Sequence, residues 1–310
     1  MSARQLTSHA ALALSVALLV VPPAARAETV ERARSVRAVS PVERALSGGL
    51  VTLRAPGSPM IRVAAGSFVM GSSPSELALA IGSCAREAFG NRCNERSFTS
   101  ELPRHTATLG SFWLDRTEVT AADYDRAAET GACSPRVLEG GARRFARGEL
   151  PATLVSAADA EAYCRSRGAR LPSEAELERA ARGTSGRYYP WGMNYDRRLV
   201  NHGRLGLDTS DFSDGYAELS PVGSFPEGRT PDGFLDLAGN AAEWTRDPFT
   251  PRHDLPADPA WGGARVVRGG DFSSGAAFLR SAVRTPVAPD RRLPTIGFRC
   301  ARSADAKSEP

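Results

Sequence analysis

The stretch that indicates the fold most clearly is RVVRGGDFSSGAAFLRSAVRTPVAPDRRLPTIGFRC, residues 265–300. Glycine, proline and aspartate recur in this stretch, as they do throughout the chain after Gly192. So many turn-forming residues predict loops held by specific contacts rather than long regular elements. The landmarks of the stretch are Arg268-Gly269-Gly270 at its start, Arg280 and Arg284 in its middle, and Gly297-Phe298-Arg299-Cys300 at its end.

Three segments ahead of this stretch carry the start and stop signals of helices. In each, a hydroxyl residue is followed three positions later by an acidic residue, which favours the positive end of a helix, and a glycine ends the segment. The three sets are Thr120, Asp123 and Gly131; Ser156, Asp159 and Gly168; and Ser173, Glu176 and Gly183. Earlier still, Met60–Gly71 predicts two short strands around a turn at Ala65-Gly66, and Leu109–Thr120 predicts a strand that leads into the first helix.

Two stretches carry a family resemblance. Residues 265–300 and SAADAEAYCRSRGARLPSEAELERAARG, residues 156–183, resemble the formylglycine-generating enzyme family, also called sulfatase-modifying factors. That family oxidises a cysteine of sulfatases to formylglycine. The resemblance covers Met60 to Arg302 and implies one domain of the C-type-lectin-like α+β class, with short helices, a small antiparallel sheet and much irregular chain. We interpret Glu174, Glu176 and Glu178 as helix-capping charges and a solvated face rather than as acid–base groups.

One part of the family pattern is missing. In the oxidases, two cysteines between the paired glycines and the later arginines bind copper, whereas Asp271–Val283 contains no cysteine and is shorter. Ser273 and Ser274 lie at or near those positions, but a hydroxyl is a hard, weak ligand that does not replace thiolate for copper(I). A serine nucleophile needs an adjacent base, and the sequence shows none. Copper is therefore not expected here.

Two oxygen-rich places suit calcium, which takes about six to eight oxygen ligands, many of them carbonyls beside turns. The alternative is that the same residues form Asx turns. The resemblance implies a structural calcium site made of Asn201, the His202 carbonyl, Asp214 and the Tyr216 carbonyl, and a second made of Asp236, Glu243 and the carbonyls of Gly239 and Ala241. Asp236 stands where the family usually has asparagine, so the second place carries an added charge.

The five cysteines leave one thiol unpaired if two disulfides form. Cys84 and Cys93 lie close enough in sequence to staple a local loop within Ser72–Leu102, which we interpret as an insertion. The resemblance implies a structural disulfide between Cys164 and Cys300; the alternative is a redox-active pair. Cys133 is then the odd thiol. The oxidases' second structural disulfide has no counterpart, since Ala181 and Ser281 stand at the expected positions.

The N-terminus predicts export. Arg4 precedes an apolar run, Ala10–Val21, that is too short to span a bilayer, and Ala25-Arg26-Ala27 has the form of a signal-peptidase site. The alternative is a transmembrane anchor. We therefore expect a secreted or periplasmic protein with no stable membrane insertion after cleavage. The predicted division is a signal peptide (1–27), a polar leader (28–57), the family domain (58–303) and a C-terminal tail (304–310).

Two observations narrow the range of possible functions. The net charge is only +4 and the arginines are scattered, which argues against a nucleic-acid-binding face. His105, His202 and His253 show no spacing typical of an iron or zinc site. The leading hypothesis is an exported, calcium-stabilised binding or scaffold module without oxidase activity, whose partner is an unknown protein or small molecule. The alternative is an oxidoreductase of the sulfatase-modifying-factor type.

Overall fold

The structure, a computed structural model, describes residues 57–87, 93–203, 211 and 213–304. The predicted signal peptide and nearly all of the predicted leader lie outside these residues. The α-helices are α1 (Pro74–Cys84), α2 (Ala121–Glu129), α3 (Ala157–Ser166) and α4 (Glu174–Arg182). The strands are β1 (Met60–Val63), β2 (Gly66–Met70), β3 (His105–Leu109), β4 (Phe112–Asp115), β5 (Ala242–Pro248), β6 (Arg265–Arg268), β7 (Arg284–Val287), β8 (Ile296–Gly297) and β9 (Ala301–Ser303). Short 3-10 turns occupy Glu95–Glu101, Gly140–Ala146, Arg197–Leu199, Pro226–Gly228, Pro259–Trp261 and Ala276–Phe278.

The three predicted helices are confirmed, with the predicted caps. The hydroxyls of Thr120, Ser156 and Ser173 each accept the N–H three residues on. In α3 and α4 the acidic residue also accepts the N–H of the cap, which completes a capping box. Helix α1 was not predicted, although Ser73, Pro74 and Glu76 form a start signal of the same kind. Within the described residues, no helix has both the length and the apolar character needed to cross a membrane.

The strands form three small sheets in the described part of the chain, in the orders β1-β4-β9, β2-β3 and β7-β6-β5-β8. All pairings are antiparallel except β5 with β8. The predicted turn at Ala65-Gly66 joins two different sheets, because Val63 pairs with Phe112 while Gly66 pairs with Leu109. After Gly192 the described chain has short strands and 3-10 turns separated by irregular segments, so the predicted predominance of loops over long elements is confirmed. Strand β5 is the longest described strand, and its pairing depends on distant segments that local pattern does not show.

The largest core cluster surrounds Trp244, which is fully buried and donates its indole N–H to the Val155 carbonyl at 3.1 Å. The rings of Tyr124 and Tyr163 stack in the same cluster, 5.6 Å apart. The Cys164–Cys300 disulfide lies there too and ties α3 to the C-terminal segment. The Cys84–Cys93 disulfide is also present, and Cys133 is free and buried. The predicted and implied cysteine assignments are therefore confirmed, as is the mixed α and β architecture.

Candidate functional site

The cysteine-free interval begins with a tight turn closed by its own side chains. The Asp271 carboxylate accepts the backbone N–H of Ser273 at 2.8 Å and its hydroxyl at 2.6 Å. Ser274 closes the turn by accepting the Asp271 N–H at 3.0 Å. Burial raises the pKa of the Asp271 carboxyl. The expectation that no base adjoins these serines was thus wrong in one respect: a carboxylate adjoins Ser273, and it is engaged in holding the turn.

The middle of the interval is buried under the disulfide-stapled segment. Ala277 and Leu279 are both fully buried. Ala277 packs in one apolar cluster with Leu77 of α1 and with Phe98. The carboxylate of Glu87, just after α1, accepts the Ala276 N–H at 3.1 Å. The centre of this interval therefore forms part of a core, whereas Ser273 and Ser274, which lie at or near the copper-binding positions of the oxidases, are half-buried.

The acidic residues of α4 do not form a solvated face. Glu178 is fully buried and accepts the Gly71 N–H at 2.8 Å and an Arg268 N–H at 2.7 Å. Glu176 is also buried, and it accepts the Ser173 N–H at 2.7 Å, as its capping role predicts. The solvated-face interpretation was wrong because arginines reach these carboxylates: distant Arg268 pairs with Glu178, and a nearby arginine of the same segment pairs with Glu176. Glu178 has a structural function, since it joins α4 to β6 and to the backbone just after β2.

The first oxygen-rich place is an Asx-type turn in which one side-chain oxygen has no hydrogen-bond partner. Asp214 accepts the N–H groups of His202 and Tyr216, both at 2.9 Å. The Asn201 side chain donates to the Glu218 carbonyl at 2.9 Å, whereas its Oδ1 is buried without a hydrogen-bond partner. An orphaned amide oxygen, one residue from a backbone N–H that binds a carboxylate, fits a calcium ligand set, because a cation would satisfy the unused oxygen.

The second oxygen-rich place lies directly beside the first. Gly239, which has φ +72°, allows the two loops to touch, since a Cβ there would sit 2.0 Å from the Asn201 carbonyl oxygen. Asp236 accepts the Gly223 N–H at 2.6 Å. Glu243 accepts three hydrogen bonds of 2.7 to 3.0 Å from Arg299. The place therefore contains one carboxylate with free acceptor capacity and one that an arginine already neutralises. The remaining residue of the implied set, Ala241, is buried in the same loop.

Glu118 is the residue that the sequence analysis missed. It is fully buried, and its Oε1 accepts an N–H of Asn240 at 3.1 Å while Oε2 has no partner. Its carboxyl lies within hydrogen-bond reach of the Asp236 carboxyl. Burial raises the pKa of Glu118 well above its ordinary value, and the negative charge of Asp236 adds to the effect. The available signal was an acid between the strand and the cap of α2 that has no capping role of its own.

The described residues contain no group of three His, Cys, Asp or Glu side chains placed to hold a metal ion. A cation at either place therefore needs backbone carbonyl or amide oxygens, which is a mixture that calcium accepts. The histidines lie apart from these places or serve packing. The rings of His105 and His253 are 4.8 Å apart, and His202 is buried against Tyr195.

Ala181 and Ser281 both line one small cavity, which has room for about one water molecule. Arg268 and Glu243 line the same cavity. One nitrogen of Arg268, Nη1, and the Ser281 hydroxyl have no hydrogen-bond partner. The positions at which the oxidases place a second disulfide thus adjoin a small cavity with mainly apolar walls and a few polar groups, next to the second oxygen-rich place.

Comparison with known proteins supports the family resemblance seen in the sequence. The family profile described as "Sulfatase-modifying factor enzyme 1-like domain" matches residues 51–304. A Mus musculus protein named "Inactive C-alpha-formylglycine-generating enzyme 2" is 40% identical over 168 residues, which are 52% of this chain and 52% of that protein. The "Formylglycine-generating enzyme" of Streptomyces coelicolor is 38% identical over 175 residues, 51% of this chain and 54% of that protein.

The fold is shared with solved structures. PvdO from Pseudomonas aeruginosa superimposes with a TM-score of 0.60 at 26% identity, covering 79% of this chain and 94% of that one. This likeness, with the profile match, confirms the C-type-lectin-like α+β fold. The chain spans about half the length of the curated relatives it matches.

Proposed function

The chain belongs to the sulfatase-modifying factor family, and we propose that it is an exported, calcium-stabilised binding or scaffold module of that family that does not generate formylglycine. One observation carries the proposal. The interval Asp271–Val283 contains no thiol, and its centre is packed beneath the stapled segment. The ligand is a protein or a small molecule, since nothing in the charge distribution favours nucleic acid.

The chemistry of the oxidation supports this proposal. Copper(I) needs soft thiolate ligands next to the substrate thiol, and this interval offers only carboxylate, hydroxyl and apolar groups. Cys300 is joined to Cys164, so its sulfur is not available as a thiolate. Cys133 is free, but it is buried in another cluster, where burial raises the pKa of its thiol. Cys84 and Cys93 pack beside the interval but are joined to each other, so none of the described cysteines offers a thiolate for copper(I) there.

The named relatives are compatible with either a catalytic or a non-catalytic role for this chain. The mouse relative is named inactive and the Streptomyces relative is named an enzyme, at similar identity to this chain. The alternative function is therefore an oxidoreductase that modifies a cysteine, or another group, by a different route in the same region. The similarity to the Streptomyces enzyme is the observation that favours it.

The decisive test is an aldehyde-trapping assay on a sulfatase-motif peptide, with copper and a reductant supplied. We expect no turnover above a control without protein. Turnover that persists in Cys300→Ser would overturn the non-catalytic proposal. A metal analysis of the purified protein complements the assay: calcium alone supports the module, and stoichiometric copper or iron supports the enzyme.

Calcium binding rests on two unsatisfied acceptors. Asn201 Oδ1 and Glu118 Oε2 are both buried without donors, one at each oxygen-rich place. Such groups are costly unless a cation, a proton or a water satisfies them. If chelation leaves the melting temperature of the protein unchanged, the calcium proposal fails while the absence of oxidase activity stands.

A further inference from the structure

We infer that Glu118, rather than Glu243, is the acidic residue that shares a divalent cation with Asp236. The inference rests on the proposed calcium binding and changes the ligand set that the family resemblance implies. It gives a role to a fully buried carboxylate that the sequence analysis did not single out.

Glu243 is already neutralised. Arg299 donates to its Oε1 at 3.0 and 2.7 Å and to its Oε2 at 2.8 Å, so little acceptor capacity is left on this carboxylate. Arg299 is held in place by carbonyls on two sides. It donates to those of Asp115 and Arg116 at 3.1 and 3.0 Å and to that of Leu235 at 2.9 Å. Freeing Glu243 for a cation would therefore break these hydrogen bonds and leave a buried guanidinium without its counter-charge.

Glu118, in contrast, receives few hydrogen bonds. A single N–H, from Asn240, reaches its Oε1, and nothing reaches Oε2. The Asp236 carboxyl beside it accepts one N–H, from Gly223. A buried carboxylate with one donor is poorly compensated, and two in contact also repel each other. A cation between them removes both costs at once.

The charge of this pair selects the class of ion. Glu118 and Asp236 together carry two negative charges when ionised, and Glu243 is balanced by Arg299. A divalent ion neutralises the pair, whereas a monovalent ion leaves one charge buried. All candidate ligand atoms at this place are oxygens, which suits calcium or magnesium rather than a thiophilic metal. The competing state is a proton shared by the two carboxyls.

The test compares the wild type with Glu118→Gln by calorimetric titration of calcium into metal-free protein and by unfolding with and without chelator. Glutamine keeps the shape of the side chain and supplies a donor to Asp236. We expect Glu118→Gln to weaken calcium binding roughly tenfold or more at one site. In chelator, we expect it to unfold at the same temperature as the wild type or higher, because the repulsion is gone. Asp214→Asn, in the other oxygen-rich place, is the matched control and should retain the site that depends on Glu118.

Three results would overturn the inference. Calcium affinity of Glu118→Gln within about twofold of the wild type contradicts it while leaving calcium binding intact. Equal loss of stability with and without calcium means that Glu118 is only structural. A wild type that binds no calcium removes this inference together with the calcium proposal. If Glu118→Gln fails to fold, Glu118→Asp keeps the charge but shortens the side chain, and it should weaken calcium binding in the same assay; unchanged affinity of this variant would contradict the inference.

Discussion

Arg280 and Glu101 lie 179 residues apart in sequence and join by two hydrogen bonds, of 2.8 and 2.6 Å, in the protein interior. Both are almost fully buried. Arg280 also stacks over the ring of Phe98, 4.7 Å from its centroid, and Glu101 accepts the Ser72 hydroxyl at 2.6 Å. This pair therefore fastens the stapled segment onto the cysteine-free interval.

Breaking this pair should destabilise the whole domain. Glu101→Gln leaves the guanidinium of Arg280 buried and uncompensated, which typically costs about 3–5 kcal/mol. Denaturant unfolding measures the loss. Asp254→Asn, which breaks the exposed pair with Arg252, is the control and should leave the unfolding midpoint unchanged. Equal midpoints for Glu101→Gln and the control would show that the pair does not hold the segment.

The long disulfide should be a major stabilising link. Cys164 and Cys300 are 136 residues apart, and closing a loop of that length contributes on the order of 4–5 kcal/mol in the chain-entropy model. Replacing both by alanine should lower the free energy of unfolding accordingly, whereas Cys133→Ala should leave the disulfides unchanged. Peptide mapping without reduction checks the pairing, and a peptide linking Cys133 to Cys164 would refute it.

The buried His253 should make the protein sensitive to acid. Burial, the positive charges of Arg284 and Arg268, and then His105 lower the pKa of His253 from 6.5 to about 2. The unfolded chain therefore binds this proton below about pH 6.5 while the folded protein does not, so stability falls as the pH falls from there toward 2. The slope from this group is at most about 1.4 kcal/mol per pH unit.

Replacing His253 by glutamine tests this account. Unfolding measured between about pH 7.5 and 4.5 should show a flatter dependence on pH in His253→Gln than in the wild type. The substitution keeps a polar side chain at the position, where Glu174 lies 3.7 Å from the imidazole. Parallel curves would mean that other groups cause the loss of stability in acid.

Export should remove the first 27 residues. The charged start, the short apolar run and the small residues before Glu28 predict cleavage after Ala27. N-terminal sequencing of secreted or periplasmic material should begin at Glu28. A protein that keeps Met1, or that accumulates in the cytosol, would contradict both the cleavage site and the compartment.

The sequence by itself determined the features that depend on near neighbours or on a family pattern. The caps of α2, α3 and α4 follow from residues three positions apart, because a helix start is satisfied within one turn. The family pattern implied the Cys164–Cys300 pairing and the overall fold, and sequence proximity suggested the short disulfide. The absence of cysteine from Asp271–Val283 was evident from the order of residues, and the family pattern gave it meaning.

The tertiary structure decided which charges are buried and what each one meets. Glu178, expected on a solvated face, is buried against Arg268 of β6, and Glu243, expected as a calcium ligand, is held by Arg299. Glu118 was not singled out, and it ends beside Asp236 with an unsatisfied oxygen. Helical and strand periodicities extend over only a few residues, whereas these partners are 56 to 118 positions apart. The desolvation of a carboxylate, and so its need for an arginine or a cation, depends on segments that meet only when the chain folds.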